Sequence, residues 1–154
     1  MSKQNDILEA LRARLGQIRI ADGYATDIGA TVFRGRRAIS PDHPPCCAIF
    51  EHEDEIEKQS PGTGAIHTAP VAFESLPVSI EAHAACDPDH PNVTAHAMVA
   101  DIKRAIFAGD LTWGALATHT QYVGRNVGDR DAGTDIAFAQ VLIKIGCVED
   151  LADP

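Results

Sequence analysis

Aromatic residues are scarce in this sequence: five Phe, two Tyr and one Trp make up 5% of 154 residues. A core must therefore rest on Ala, Ile, Leu and Val. No apolar run approaches the length of a membrane span, and the longest is cut by Gln140 and Lys144. The opening Met1-Ser2-Lys3-Gln4-Asn5-Asp6 runs straight into an amphipathic pattern and lacks a signal-peptide core. The expectation is a protein made in a cytoplasm and kept there unless a particle carries it out. Cysteine is sparse as well. Cys46, Cys47, Cys86 and Cys147 form no Cys-x-x-Cys, and two are adjacent, which suits small buried hydrophobes better than a disulfide framework.

What is present is ordinary globular material, 45% hydrophobic and 23% charged, of a length that fits one domain over residues 1–154. The net charge of −9 argues against binding a phosphate backbone, which needs a concentrated positive surface. Its distribution says more. Residues 1–40 carry seven Lys/Arg and four Asp/Glu, residues 41–100 only Lys58 against ten acids, and residues 101–154 five bases and eight acids. A basic end and an acidic middle suit head-to-tail contacts, if folding keeps the two apart.

Ile7, Leu8, Leu11, Leu15 and Ile18 fall at helical spacing, with Ser2 or Asn5 as cap and Asp22-Gly23 ending the segment. Ala30–Gly35 reads as a short strand and Ser40–Pro45 as a loop. Cys46–Glu51 reads as a buried strand, and the polar stretch from Glu51 to Gly64 as a loop throughout. Ile66–Phe73 and Leu76–Ala84 read as two further strands; in the second, Val78, Ile80 and Ala82 alternate with Ser79, Glu81 and His83. A loop at Asp87–Asn92 leads to a helix capped by Asn92, with Ala95, Val99, Ile102 and Ile106 on one stripe and Gly109 past its end. Thr118–Val127 is a strand, Asp129–Gly133 a turn and Ile136–Cys147 the closing strand. The sum is an α+β fold: a mostly antiparallel four- to five-stranded sheet with two main helices packed on one face. The other face, with Glu81, His83, Gln140 and Lys144, is wet or used for assembly.

Catalytic motifs are missing. Pro-Asp-His-Pro occurs at 41–44 and again at 88–91, and convergence of Asp42, His43, Asp89 and His90 would make a zinc or manganese site; turn chemistry explains the same strings. His83, Cys86 and His90 lack a fourth ligand, and His52-Glu53 has Ile56 where a zinc-protease helix needs histidine. Gly62-Thr63-Gly64 has no phosphate-loop lysine. The acids from Glu51 to Glu57 lack the glycine and ligand alternation of a calcium loop. No catalytic residue, metal ligand or cofactor is expected.

The segment Gly23-Tyr24-Ala25-Thr26-Asp27-Ile28-Gly29-Ala30-Thr31-Val32-Phe33-Arg34-Gly35-Arg36 resembles the tail terminator proteins (minor tail protein U-like) of long-tailed phages and prophages. The order of parts is similar too, including Pro-x-x-x-x-Phe-Glu from Pro45 to Glu51. The resemblance implies an α+β subunit of a hexameric ring in the virion tail, made in the bacterial host cytoplasm. Such a ring caps the tail tube, ends its polymerisation and offers a surface to head-completion or neck proteins. Its implied partners are copies of itself, the tail tube protein and the neck protein, with no direct contact to nucleic acid or membrane. On that reading the assembly surfaces are the loops at 53–64 and 85–92, carrying Glu53, Asp54, Glu55, Glu57, Asp87 and Asp89. Arg34, Arg36 and Arg37 would meet acids of a neighbouring subunit. The alternatives are another head–tail connector or tail-completion protein, a small metal-dependent enzyme using the Asp-His loops, and a bacterial binding module sharing the fold.

Overall fold

The computed structural model describes residues 2–35, 42–63, 68–128 and 135–154. Helix α1 (Lys3–Leu15) starts on Ser2, whose hydroxyl accepts the Asn5 N–H at 3.3 Å, so Ser2 rather than Asn5 is the cap. Its stripe Ile7, Leu8, Leu11 and Leu15 is buried, and Ile18 is buried just past the helix end. Two 3₁₀ turns, Ile20–Asp22 and Ile28–Ala30, lead to β1 (Val32–Arg34). Strands β2 (Cys46–Glu51), β3 (Glu55–Ser60) and β4 (Val71–Ala85) follow, then α2 (Pro91–Phe107), β5 (His119–Val127) and β6 (Ile136–Asp150).

The fold is α+β, with a mixed sheet ordered β1-β2-β4-β6-β5 and β3 also on β4. Only β1 and β2 run parallel; every other pair is antiparallel. The six strands exceed the four to five expected, because the stretch read wholly as loop contains β3. Its only large apolar residue is Ile56, so no alternation signals a strand; the free edge of the long β4 imposes one.

A second correction concerns β4. The two strands expected at Ile66–Phe73 and Leu76–Ala84 are, from Val71 on, one strand of 15 residues that runs through Pro77; positions 64–67 lie outside the described residues. Proline is tolerated there because of what lies beside it. On the β6 side the ladder is continuous from Val71 to Ala85. On the other side β3 covers residues 71–75 and β2 covers 78–83. Pro77 falls in the gap, where its carbonyl accepts the His52 N–H at 3.0 Å, so its missing N–H interrupts no strand pairing.

One face of the sheet carries Leu76, Val78, Ile80, Val141, Ile143 and Ile145, packed under α1 and α2 in one core. Each such buried aliphatic side chain contributes roughly 1.5–3 kcal/mol. Helix α2 buries its expected stripe together with Met98 and Asp101. It begins one residue before the expected cap: Pro91 takes the first helical position, where it has no donor to lose, and His90 stands at the cap. The opposite sheet face has Glu81, His83, Gln140 and Lys144 half-buried, as expected, among Phe50, Phe138 and Leu142. Among the described residues, no helix is long and apolar enough to cross a membrane.

Candidate functional site

The segment after α1 is a clasp between the two helices. Gly23 turns the chain at φ +87°, in the left-handed region. Arg104 of α2 donates to the Gly23 carbonyl at 2.7 Å and lies over the Tyr24 ring at 4.6 Å. Asp101, buried in the α2 stripe, accepts the Ala25 N–H at 3.1 Å, the Thr26 N–H at 2.8 Å and the Thr26 hydroxyl at 2.7 Å. Asp27 accepts the Ile20 N–H at 2.9 Å. A side chain at Gly29 would overlap the Leu15 and Ile18 carbonyl oxygens, so only glycine lets this turn close on the end of α1. Each polar or glycine residue of the Gly-Tyr-x-Thr-Asp-x-Gly string thus has a structural role inside the chain.

The acidic residues gather at one end of the sheet. The turn from β2 to β3 presents Glu53 and Asp54, both exposed; Glu55 and Glu57 follow on β3, and Glu149, Asp150 and Asp153 come from β6 and beyond. Glu55 bonds Lys144 at 2.7 Å. Glu53 and Glu57 have no salt bridge among the described residues. Behind the turn, Glu74 and Glu149 lie on the helix-covered side of the sheet, both under a tenth exposed. The Gln4 amide donates to Glu74 at 3.1 Å and to Glu149 at 2.5 Å, and the Lys3 ammonium donates to the Val148 carbonyl at 2.6 Å. Burial raises the Glu74 pKa above the usual carboxylate range, and Glu149 and Asp54 push it the same way while the Gln4 bond opposes them. Burial also raises Asp54, helped by Glu149 and Glu51.

Other cations are held on the helix layer and β5. Arg14 stacks over Trp113 at 3.9 Å, Lys103 over Tyr122 at 4.3 Å, and Arg125 reaches His96 Nδ1 at 2.7 Å. Arg12 and Arg19 are exposed on the same layer. Lys3, Lys58 and Lys144 stand among the acids of the sheet end, and Glu9 and Asp110 lie beside Arg12 and Arg14, so both signs occur on each side, with acids in excess from Glu53 to Glu57.

Comparison with known proteins finds no protein-family model and no curated protein that matches this chain.

The residues singled out in sequence fall into separate places. Arg34 is engaged within the chain, reaching Asn5 at 2.7 Å, Glu9 at 2.9 Å and Glu51 at 3.4 Å. Arg36 and Arg37 lie outside the described residues, as do Pro41 and the turn at 129–133. Asp87 and Asp89 are exposed, and the Asp87 carboxylate accepts the Asp89 N–H at 3.0 Å, the turn chemistry that competes with a metal role. His43 packs on Phe33 with ring centroids 4.9 Å apart. Among the described residues, no three His, Cys, Asp or Glu side chains are grouped to hold a metal ion. Burial pushes the Cys47 thiol up to about 12 and the Cys147 thiol up to about 11, which makes both poor nucleophiles. Sequence reasoning missed Asp101 and the Glu74–Glu149 pair, because a carboxylate inside an apolar pattern carries no sign of its partner.

Two open grooves lie on the helix side, one of about 290 Å³ beside Glu9, Arg12 and Gly29, the other of about 350 Å³ lined by Ile20, Thr26, Pro45, Ala84, Val93 and Ala97. Exposed Ile20 and Val93 form the lips of the second, so it suits an apolar side chain rather than a reacting substrate.

Proposed function

We propose that this chain is a ring-forming subunit that caps a phage tail tube, like the tail terminator proteins that Gly23–Arg36 resembles. The observation that supports it most is the difference between two strands: β3 and the residues before it carry Glu53 and Glu57 outside any salt bridge among the described residues, whereas β5 carries Arg125 and no acid. Two unlike surfaces on one subunit favour head-to-tail contacts, and such contacts close into rings when the rotation between copies allows. The action is binding. One ring face takes the place of the next tube ring, and the other face offers no further site for the tube protein and is left for a head-completion or neck protein.

The test is tube growth. Purified tail tube protein is polymerised with and without this chain, and tube lengths are read by electron microscopy. Shortened tubes bearing a ring at one end are expected. Tubes of unchanged length with no bound chain would rule out the capping role. Another connector or tail-completion protein would instead stay with the head when particles lacking tails are fractionated.

A further inference from the structure

Among the described residues β5 ends the sheet at one margin, while β1, bonded only to β2, and β3 lie at the other. Strand β3 bonds only to β4, and all six of its residues are exposed. Strand β5 bonds only to β6. Their charges are complementary. Strand β3 and the turn before it carry Glu53, Asp54, Glu55 and Glu57 against Lys58, whereas β5 has no acid, carries Arg125 and is flanked by Lys103. Each edge also exposes apolar surface: Ile56 at 55% on one, Val123 at 51% and Tyr122 at 38% on the other. An edge with unpaired backbone groups and exposed apolar side chains is a hazard unless something covers it.

We propose that β3 of one copy docks on β5 of the next, so that the sheet continues from subunit to subunit. This rests on the ring reading and names its contact. Direction is consistent. Strand β3 runs parallel to β6 and opposite to β5, so a neighbour in the same orientation presents β3 antiparallel to β5. The contact joins unlike edges, which lets it close into a ring rather than stop at a dimer. The edges are also offset. Glu55 lies level with Ser75, Gly146 and His119, and from there the two strands run to opposite ends. Docking therefore shifts the neighbour along the strand by roughly 20 Å, six residues at about 3.3 Å each, and inclines the strands to the ring axis. A bulge in each edge, between Ile56 and Lys58 and between Tyr122 and Gly124, shortens the pairing and restricts its register.

The test uses two full-length variants, Glu53→Lys/Glu57→Lys and Lys103→Glu/Arg125→Glu, with thermal unfolding to show that each folds. Mass is measured by light scattering at a concentration where the wild-type chain is a ring. Each variant alone is expected to fall to monomer, with at least tenfold weaker association. An equimolar mixture is expected to recover the ring, because alternating copies pair Lys with Glu at one contact and Glu with Arg at the next. Rings from either variant alone, or a folded mixture that stays monomeric, overturn the edge contact and leave the ring reading standing. Variants that form rings but no longer bind tube ends would assign these edges to the tube protein, which also overturns it. A wild-type chain that forms no ring, free or on tube ends, removes the ring reading and this contact with it.

Discussion

The clasp at Gly23–Gly29 and the segment from Glu53 through β3 use polar residues in opposite ways. In the clasp, Asp101 and Asp27 accept backbone N–H groups, Arg104 donates to a backbone carbonyl, and Gly29 exists to avoid a clash. In the β3 segment, Glu53 before the strand and Glu57 on it are exposed with no salt bridge among the described residues, and the strand is exposed along its whole length. The first region holds the molecule together. The second adds little to its stability and leaves its charge available to another surface. Substitutions in the clasp should therefore act on folding, and substitutions in the β3 segment on association.

The largest effect is expected at Asp101. Replacing it with Ala strands two backbone donors and a hydroxyl at a buried joint, a loss of about 3 kcal/mol by chemical denaturation. A change below about 1 kcal/mol would mean that the clasp is held elsewhere. Next, Gly29→Ala must displace the turn from the Leu15 and Ile18 carbonyls and should cost roughly 2 kcal/mol. An unaltered midpoint would show that the turn shifts freely.

The buried pair at the acidic end gives a pH test. The Glu74 pKa is raised above its ordinary 4.5, so the folded chain holds a proton that the unfolded chain releases first. That contribution to stability is complete below about 4.5 and is lost as pH rises through the folded value. Gln4, Lys3, Asp54, Glu51, Cys147 and Glu149 surround or face the group. The Glu74→Gln variant should flatten this part of the pH profile and melt higher than wild type at neutral pH. A lower melting point there would show that the ionised carboxylate is favoured. The smallest effect on folding is expected from Glu53→Lys/Glu57→Lys, within about 0.5 kcal/mol of wild type. A larger loss would place the β3 segment among the elements that stabilise the fold.

Legibility in the sequence followed burial. The stripes of α1 and α2 and the alternation in β6 were readable because each buries one face against the core. Strand β3 was not, since Glu55-Ile56-Glu57-Lys58-Gln59-Ser60 buries neither face and exists because β4 offers an edge. Glu74 and Ser75 divided β4 in the pattern but not in space, because neither their burial nor the place where β2 gives way to β3 can be read locally. The charge blocks foretold an acidic surface, yet Arg34, expected to face a neighbour, is engaged by Glu9 and Glu51 of its own chain. The carboxylates of Asp101 and Glu149 looked like interruptions of apolar patterns, and only the loop or strand packed beside each shows what it does.

The most direct measurement is the mass of the wild-type chain in solution, by light scattering after size exclusion across a range of concentration and salt. The account predicts a closed ring at six times the subunit mass, weakened as salt screens the acidic and basic surfaces. A monomer at every concentration that also fails to bind the ends of purified tail tubes would contradict it.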